Sequence, residues 1–256
     1  MRSVREVMGM PVTVDVRDDG AERQALDEVF ADLEFVDQVF SPFISDSEVS
    51  RIDRGELRPE DSSPLVQQVL NLCRLYEIAT DGYFSAWIAG RLDPSGLVKG
   101  WAIDRACGIL DGYGYMNYHV EAAGDVRTRR PSGTGAPWRI GIRHPVERDK
   151  VTRVIAGGDL AVATSGTYEK GAHIRDPHTG REVTRWLSVT VVGADIVSAD
   201  VYATAAFAMA DRGLDFVEAM PGWEAYAIDL NLRATWTAGF SALCDLREGA
   251  GDRNRQ

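Results

Sequence analysis

The chain has 256 residues, 45% of them hydrophobic and 26% charged, a composition typical of a folded globular protein and not of a disordered or fibrous one. Its 28 basic and 39 acidic residues give a net charge of −11. This charge argues against nucleic acid and against an anionic membrane surface as partners, because both bind through a basic face. It does not exclude a small anionic ligand, which needs only a local site where a metal can supply the positive charge.

The sequence carries few signals of targeting, membrane insertion or redox chemistry. The first seven residues contain no apolar run and no cleavage site, so no signal peptide is indicated, and no stretch approaches the ~18 consecutive apolar residues of a transmembrane helix. Cys73, Cys107 and Cys244 form no CxxC pair, and the first two fall in apolar helical patterns that favour buried structural thiols. We therefore expect a cytoplasmic protein with no membrane insertion.

The predicted elements begin with one strand and continue with helices. Alternation of apolar and polar residues predicts a strand at 10–16, and apolar residues at helical spacing predict a helix at 21–40. Residues 45–61 are polar and charged and are predicted as loop. A second helix begins at Ser63-Pro64, an N-cap followed by a proline suited to the first helical position, and a third runs from about 97 to 110.

Short strands dominate the second half of the chain. They are predicted at 118–122, 138–143, 151–155, 160–164, 181–192, 223–229 and 233–237, and helices are predicted at 199–211 and 214–220. Helices first and strands later indicate an α+β fold, with N-terminal helices packed on a mainly antiparallel sheet, and not a βαβ repeat. We expect one domain over residues 1–245 and a polar, disordered tail over 246–256.

Four segments rich in glycine and polar residues could carry chemistry. Residues 93–100 open the third predicted helix, where backbone N–H groups suit phosphate and Lys99 adds positive charge. The alternative is a capped helix with a surface lysine. Residues 121–126 place a Gly-Asp turn after a strand, and a plain hairpin turn is the alternative there.

The third segment, residues 163–180, combines hydroxyl side chains, two histidines and an Asp-Pro turn. His173 could act as a general base, because imidazole titrates near neutral pH, or it could be a surface histidine beside the turn. We interpret His178 as part of the turn alone.

The fourth segment contains Asp200 and Thr204, which are four residues apart and share one face of the predicted helix. A carboxylate and a hydroxyl are hard oxygen ligands that suit Mg²⁺, which takes few protein ligands and completes its coordination with water and phosphate oxygens. The alternative is that Asp200 only complements the dipole at the helix N-terminus. The segment alone does not decide between the two.

Taken in order, seven motifs resemble those of the ApbE family of flavin transferases, from Met8 to about Phe240. The matching segments are MGM at 8–10, SPFISDSEVSRI at 41–52, GLVKGWAID at 96–104, AGD at 123–125, WRIGIRHP at 138–145, TSGTY at 164–168 with HIRDPHTG at 173–180, and SADVYAT at 198–204. Each motif is weak by itself, but their shared order favours the metal and nucleotide interpretations above.

Such enzymes use Mg²⁺ to cleave FAD at its pyrophosphate, transfer FMN to a Thr or Ser hydroxyl of another protein, and release AMP. The resemblance implies that Asp200 and Thr204 bind the metal through their side chains, Gly96 binds it through its carbonyl, and His173 is the base. The residues implied to line the FAD site are Met8, Tyr83, Phe84, Ser85, Asp93, Lys99, Ser165 and Ile174. The implied partner is an acceptor protein with a D-x-x-(S/T)-G-A-(S/T)-type motif, which this chain itself lacks.

The chain departs from the family pattern in the segment GYFSAW at 82–87. Ser85 stands where the family has an aspartate, and the stretch from Phe84 to Asp93 is shorter than usual. Two alternatives to protein flavinylation therefore stay open. The chain could be a Mg²⁺-dependent FAD pyrophosphatase that yields FMN and AMP, or a non-catalytic FAD-binding protein.

Overall fold

In this computed structural model, one large antiparallel sheet carries helices on one face and a two-stranded hairpin on the other. The structure describes residues 1–88, 90–130, 136–147, 149–167 and 174–244. Their α-helices are α1 (Arg23–Phe40), α2 (Glu48–Asp53), α3 (Pro64–Ala79), α4 (Ser95–Gly112), α5 (Ile196–Ala208) and α6 (Gly213–Glu218). Their strands are β1 (Arg2–Val7), β2 (Met10–Val16), β3 (Trp87–Ile88), β4 (Arg91–Leu92), β5 (Tyr118–Ala122), β6 (Asp125–Arg129), β7 (Trp138–Arg143), β8 (Val151–Gly157), β9 (Ala161–Gly166), β10 (Trp186–Gly193), β11 (Glu224–Asp229) and β12 (Ala234–Trp236).

The large sheet has eight strands in the order β1-β2-β5-β6-β9-β10-β11-β12. Every pair of neighbours in this order is antiparallel. Strands β3 and β4 form a separate hairpin, and so do β7 and β8. The predicted α+β fold with an antiparallel sheet is confirmed.

The two faces of the sheet carry two apolar cores, because successive side chains of a strand point to opposite faces. Val120 of β5 and Val191 of β10 belong to the larger core, which the helices cover. Val126 of β6 and Val162 of β9 point the other way and pack with Ile140 of β7 in the smaller core. The β7–β8 hairpin thus covers the face opposite the helices.

Local sequence signals account for the N-terminal helices. Leu26, Phe30 and Leu33 recur on one face of α1 and are fully buried or nearly so, as the helical spacing predicts. The side chain of Ser63 caps α3 by accepting the N–H of Val66 at 3.4 Å, and Pro64 takes the first helical position.

Helices α4 and α5 cross at Gly100. A β-carbon built on Gly100 would lie 2.7 Å from the carbonyl oxygen of Ile196 and 3.0 Å from Cβ of Asp200. A side chain of any size at this position would therefore push the two helices apart. The close approach places Asp200 directly against the first turns of α4.

Some predicted boundaries are wrong. The helix predicted at 199–211 is α5, which begins and ends three residues earlier because Asp195 caps it by accepting the N–H of Ser198 at 3.0 Å. The strand predicted at 181–192 begins only at Trp186, as β10. The sequence predicts no regular structure for β1, α2 or β6, all three of which form.

Two further predictions concern the C-terminal tail and membrane insertion. The predicted tail at 246–256 lies outside the described residues, so its order stays a prediction. Within the described part of the chain, no helix is both long enough and apolar enough to span a membrane.

Candidate functional site

Residues from three separate elements meet at the N-terminal end of α4. A β-carbon built on Gly96 would lie 3.4 Å from Cε2 of Phe84 and 3.6 Å from Oγ1 of Thr204 on α5. The Oγ of Ser165 at the end of β9 lies 3.2 Å from the same Thr204 Oγ1. The structure thus brings together four of the predicted site residues, which are up to 120 positions apart in the sequence.

Asp200 lies one helical turn before Thr204 and is only 3% exposed. Its Oδ2 accepts the N–H of Gly100 at 2.9 Å, and its Oδ1 lies 3.7 Å from Nζ of Lys99. Asp195, not Asp200, caps the start of α5. The interpretation of Asp200 as a simple partner of the helix dipole is therefore wrong, since its carboxylate points into α4.

A second buried carboxylate, that of Asp125, completes the cluster. Its Oδ2 lies 2.7 Å from Nζ of Lys99, its Oδ1 accepts the N–H of Thr164 at 3.0 Å, and the residue is fully buried. Asp125 follows a hairpin turn in which Ala123 and Gly124 both have positive φ, at 48° and 90°. The predicted hairpin turn is confirmed, and it also carries Asp125 into the site, a role that the sequence analysis did not assign.

Two buried carboxyl groups share the one ammonium group of Lys99. Burial raises the pKa of Asp200 to about 7, the neighbouring charge of Lys99 lowers it, and the neighbouring carboxylate of Asp125 raises it. A buried carboxylate is costly unless positive charge and hydrogen bonds compensate it. The Asp200 carboxyl group is therefore harder to ionise than an ordinary aspartate, and an added cation would favour its ionised form.

The donor atoms at this point are of the kind that Mg²⁺ prefers. Carboxylate, hydroxyl and carbonyl oxygens from Asp200, Thr204 and Gly96 lie on two helices in contact, and Mg²⁺ commonly keeps several waters. In the described ranges, no group of three or more His, Cys, Asp and Glu side chains could hold a metal ion. A metal at this site would therefore depend on hydroxyl and carbonyl donors, on water and on the phosphates of a ligand.

The first turn of α4 differs from the phosphate cradle that the sequence predicts. The N–H of Ser95 donates to Oδ1 of Asp93 at 3.0 Å, and the N–H groups of Leu97 and Val98 both donate to the carbonyl of Pro94 at 3.0 Å. These N–H groups already have partners within the chain. The local positive charge therefore comes from Lys99 and from the dipole of an 18-residue helix.

Tyr83 and Ser85 lie in the turn that follows α3, and each has a definite partner. The ring of Tyr83 packs edge-on against His178 at 4.5 Å between centroids, and its hydroxyl accepts a hydrogen bond from Arg212. His178 Nε2 lies 2.9 Å from the carbonyl oxygen of Asp81. His178 therefore contacts the turn that follows α3 in addition to forming part of its own Asp-Pro turn.

The hydroxyl of Ser85 is used within its own turn. It accepts the N–H of Trp87 and donates to the carbonyl of the same residue, both at 3.1 Å, and Ser85 is 8% exposed. The family's aspartate is thus replaced by a side chain that binds the local backbone.

Two predicted FAD-lining residues lie on other parts of the fold. Met8, with φ of 57°, forms the β1–β2 turn together with Gly9. Because Val12 pairs with Ala122, this turn lies at the same end of the sheet as the β5–β6 turn. Ile174 is half-buried against the larger core. The predicted base, His173, lies outside the described residues, so its role stays a prediction.

A comparison with protein-family models gives one match. The model described as "ApbE family" matches residues 8–90 and 88–227 of the chain. These ranges contain all the residues of the cluster.

Curated relatives match parts of the chain. FAD:protein FMN transferase of Vibrio cholerae serotype O1 is 38% identical over 139 residues, which are 50% of this chain and 42% of that protein. The protein of the same name from Haemophilus influenzae is 32% identical over 139 residues, 50% of this chain and 40% of its own. That of Chlamydia muridarum is 25% identical over 260 residues, 77% of this chain and 80% of its own. The chain thus spans less than half the length of the first two relatives.

Solved structures share the fold. The ApbE protein of Thermotoga maritima MSB8 superposes with a TM-score of 0.83 and 24% identity, over 95% of this chain and 98% of its own. Flavin Transferase ApbE from Vibrio cholerae gives a TM-score of 0.81 and 24% identity over the same shares. At this identity the likeness establishes the fold alone.

Proposed function

This chain belongs to the ApbE family, and from that premise we propose that it transfers FMN from FAD to a Thr or Ser hydroxyl of an acceptor protein and releases AMP. The observation that carries the proposal is the cluster at the start of α4, where Lys99 lies between the buried carboxylates of Asp125 and Asp200. One turn after Asp200, the hydroxyl of Thr204 lies 3.2 Å from that of Ser165. Relatives named FAD:protein FMN transferase support the same activity.

The reaction is a phosphoryl-type transfer, in which positioning and charge compensation contribute most. The acceptor oxygen forms a bond to the phosphorus of the FMN half, the bond from that phosphorus to the bridging oxygen breaks, and AMP leaves with the electron pair. The hydroxyl proton passes to a base, for which His173 is the proposed residue. The ammonium of Lys99 and the positive end of α4 would attract the pyrophosphate.

We also propose that the site binds Mg²⁺ through the side chains of Asp200 and Thr204 and the carbonyl of Gly96. The support is the pair of buried carboxyl groups that share one ammonium group, and the closeness of Gly96 to Thr204, one helical turn after Asp200. When bound, the ion would neutralise charge on the phosphate oxygens. The family resemblance extends the FAD site to Met8, Tyr83, Phe84, Asp93 and Ile174.

The test is to incubate the protein with FAD, Mg²⁺ and an acceptor that carries the D-x-x-(S/T)-G-A-(S/T)-type motif. We expect mass spectrometry to show one added FMN on the acceptor and chromatography to show an equal amount of AMP. An unmodified acceptor with intact FAD would overturn the proposal.

Asp200→Asn tests the metal site, since asparagine can still accept the N–H of Gly100 but lacks the charge. We expect this variant to lose Mg²⁺ binding in calorimetry and at least about 10²-fold in transfer rate, the scale of losing an electrostatic group at a reacting centre. Asp195→Asn is the matched control on the same helix, because asparagine caps as well as aspartate and Asp195 lies outside the cluster.

The two alternative functions predict different results in the same assay. AMP released at the full rate without an acceptor would indicate an FAD pyrophosphatase. Bound FAD with no AMP under any condition would indicate a binding protein, the reading that the local hydrogen bonds of Ser85 favour. The cytoplasmic location expected from the sequence stays a prediction.

A further inference from the structure

The large sheet ends on one side with β1, three strands away from β6, which carries Asp125. In the part of the chain that the structure describes, β1 pairs with β2 alone. An unpaired strand edge presents a row of N–H and C=O groups that another extended segment can bind. The six residues of β1 offer roughly 20 Å of such an edge.

The hydrogen bonds to β2 show which residues of β1 direct their backbone groups to this edge. The N–H of Val16 donates to the carbonyl of Met1 at 2.8 Å, and the backbone nitrogen of Met1 donates to the carbonyl of Val16. Hydrogen-bonded pairs alternate with non-hydrogen-bonded pairs along an antiparallel ladder, so the odd-numbered residues of β1 bond to β2. Glu6 agrees with this alternation, because it faces Pro11, which has no N–H to complete a hydrogen-bonded pair. The even-numbered residues therefore direct their backbone groups away from β2, namely Arg2, Val4 and Glu6.

The side chains of these even-numbered residues lie on the face of the sheet opposite the helices. Val7 belongs to the larger core, and the guanidinium of Arg5 lies over the ring of Phe30 of α1, 4.4 Å from its centroid. The odd-numbered side chains thus point to the helices, and the even-numbered ones point the other way. They are exposed there, and the apolar side chain of Val4 keeps 54% of its surface in contact with solvent.

The edge carries two charges of opposite sign. Arg2 and Glu6 are both exposed and lie two residues on either side of Val4. Among the described residues, Arg5 alone of the β1 side chains forms an ion pair, with Asp27 of α1. The charges of Arg2 and Glu6 are therefore available to a group outside the chain.

This pattern is complementary to itself. If two antiparallel copies of β1 pair about Val4, each Val4 faces the other, and Arg2 of each copy faces Glu6 of the other. All of these are hydrogen-bonded pairs, because the backbone groups of the three residues point to the edge. Opposite charges and β-branched residues that face each other across a strand pair stabilise it. A shift of two residues in either direction would place Val4 against a charged residue instead.

We propose that a second copy of this chain binds at the free edge of β1, so that eight strands from each copy form one continuous sheet. The contact is isologous, since the same three residues act on both sides of a two-fold axis. The proposal is independent of the function proposed above. A contact of one strand edge is small, and each copy has a net charge of −11, so we expect a dimer that dissociates on dilution.

The first test measures mass against concentration by sedimentation at about 0.15 M salt, where the repulsion between the net charges is largely screened. Over about 1 µM to 1 mM, the range of weak association, we expect the weight-average mass to rise from 28.1 kDa towards twice that value. A mass of 28.1 kDa at every concentration would overturn the proposal. The charged side chains of β1 would then only protect the edge from pairing.

The second test exchanges the two charges. Arg2→Glu and Glu6→Arg each place like charges opposite one another twice in the dimer, and we expect each to weaken association at least about tenfold. The double variant Arg2→Glu/Glu6→Arg has the net charge of the unaltered protein and restores both pairs, so it should dimerise again within about threefold of the original Kd. A double variant that associates no more tightly than the single variants would overturn this pairing, and so would single variants that dimerise like the unaltered protein.

The third test removes one N–H at the centre of the contact with Val4→Pro. That N–H points away from β2, and proline is tolerated at such positions of an edge strand, so the urea midpoint of the dilute monomer should stay the same. We expect association to be lost. Val4→Thr is the matched control, because threonine keeps the N–H and the branched β-carbon, and it should still dimerise. A Val4→Pro protein that dimerises as tightly as Val4→Thr would place the contact elsewhere and overturn the proposal.

Discussion

The two buried cysteines, Cys73 and Cys107, lie on α3 and α4 with 3% and 5% of their surface exposed, which confirms the prediction of buried thiols. Burial raises the pKa of each thiol to about 12. Because the thiolate is the reactive form, a raised pKa means less thiolate at pH 8 than an ordinary cysteine has.

We therefore expect Cys73 and Cys107 to resist a thiol reagent in the native protein at pH 8 and to react on denaturation. The half-buried Cys244 is the one described thiol that a reagent can reach. In a Cys244→Ser variant, native labelling should be absent in a spectrophotometric thiol assay. Labelled Cys73 or Cys107 in peptides from the native protein would contradict the burial.

His178 holds Tyr83 and the turn at Asp81, so its removal should loosen one wall of the proposed FAD site. We expect His178→Ala to raise the Kd for FAD several-fold, about 1 kcal/mol for one lost hydrogen bond, with little change in kcat. Fluorescence titration of FAD measures this. His144→Ala is the control, because His144 accepts hydrogen bonds only at the tip of the β7–β8 hairpin. Equal FAD affinity in both variants would rule out the role for His178.

Among the elements, the crossing of α4 and α5 determines the geometry of the cluster. We expect Gly100→Ala to destabilise the fold by about 1–3 kcal/mol, since its β-carbon would lie 2.7 Å from a backbone oxygen of α5. Gly108→Ala on the same helix is the matched control. Apart from its chain neighbours and the backbone of its own helix, no atom of the described residues would lie within 4 Å of a β-carbon there, so this change should stabilise the helix by about 0.5–1 kcal/mol.

Urea unfolding of the two variants measures both effects. We expect the two substitutions to change the free energy of unfolding in opposite directions. They are chemically identical and differ only in the atoms that the new methyl group contacts. If Gly100→Ala were as stable as Gly108→Ala, the helices would have room to separate, and the position of Asp200 against α4 would need another cause.

The elements differ in how far the sequence predicts them. α1 is predicted to within two residues, because it buries one apolar stripe, and the start of α3 is predicted from its N-cap and proline. α5 is apolar on nearly all sides, so periodicity does not mark its start, and the cap at Asp195 lies before the predicted boundary. β6 has charged residues on its helical face, where apolar ones are expected, since Asp125 binds Lys99 and Arg129 binds Asp111.

At the scale of the whole molecule, the topology assembles the candidate site from residues that are far apart in the sequence. The sequence predicts Gly96, Ser165 and Thr204 only through their resemblance to family motifs, and the fold brings them together from α4, β9 and α5. Asp125 was not predicted as a site residue, because nothing in a Gly-Asp turn shows that its carboxylate is buried. Its partner, Lys99, is 26 residues away, and no local pattern encodes a contact across two layers.

The Lys99–Asp125 pair joins the helical layer to the sheet, so it should stabilise the fold as well as the site. Asp125 is fully buried and the side chain of Lys99 is 18% exposed. We expect Lys99→Met to lower the free energy of unfolding by about 3–5 kcal/mol, because it leaves a buried carboxylate without its cation. Adding Asp125→Asn should recover a large part of that loss, since the uncompensated charge is then gone.

The control for this pair is Arg58→Met, which removes the exposed ion pair of Arg58 with Asp61. We expect that change to cost at most about 1 kcal/mol, as for other solvent-screened pairs. Thermal or urea unfolding at one pH and salt concentration compares all three variants. A Lys99→Met protein as stable as the Arg58→Met protein would mean that the buried pair contributes no more than a solvent-screened ion pair, and the expected role of Lys99 in joining the two layers would be wrong.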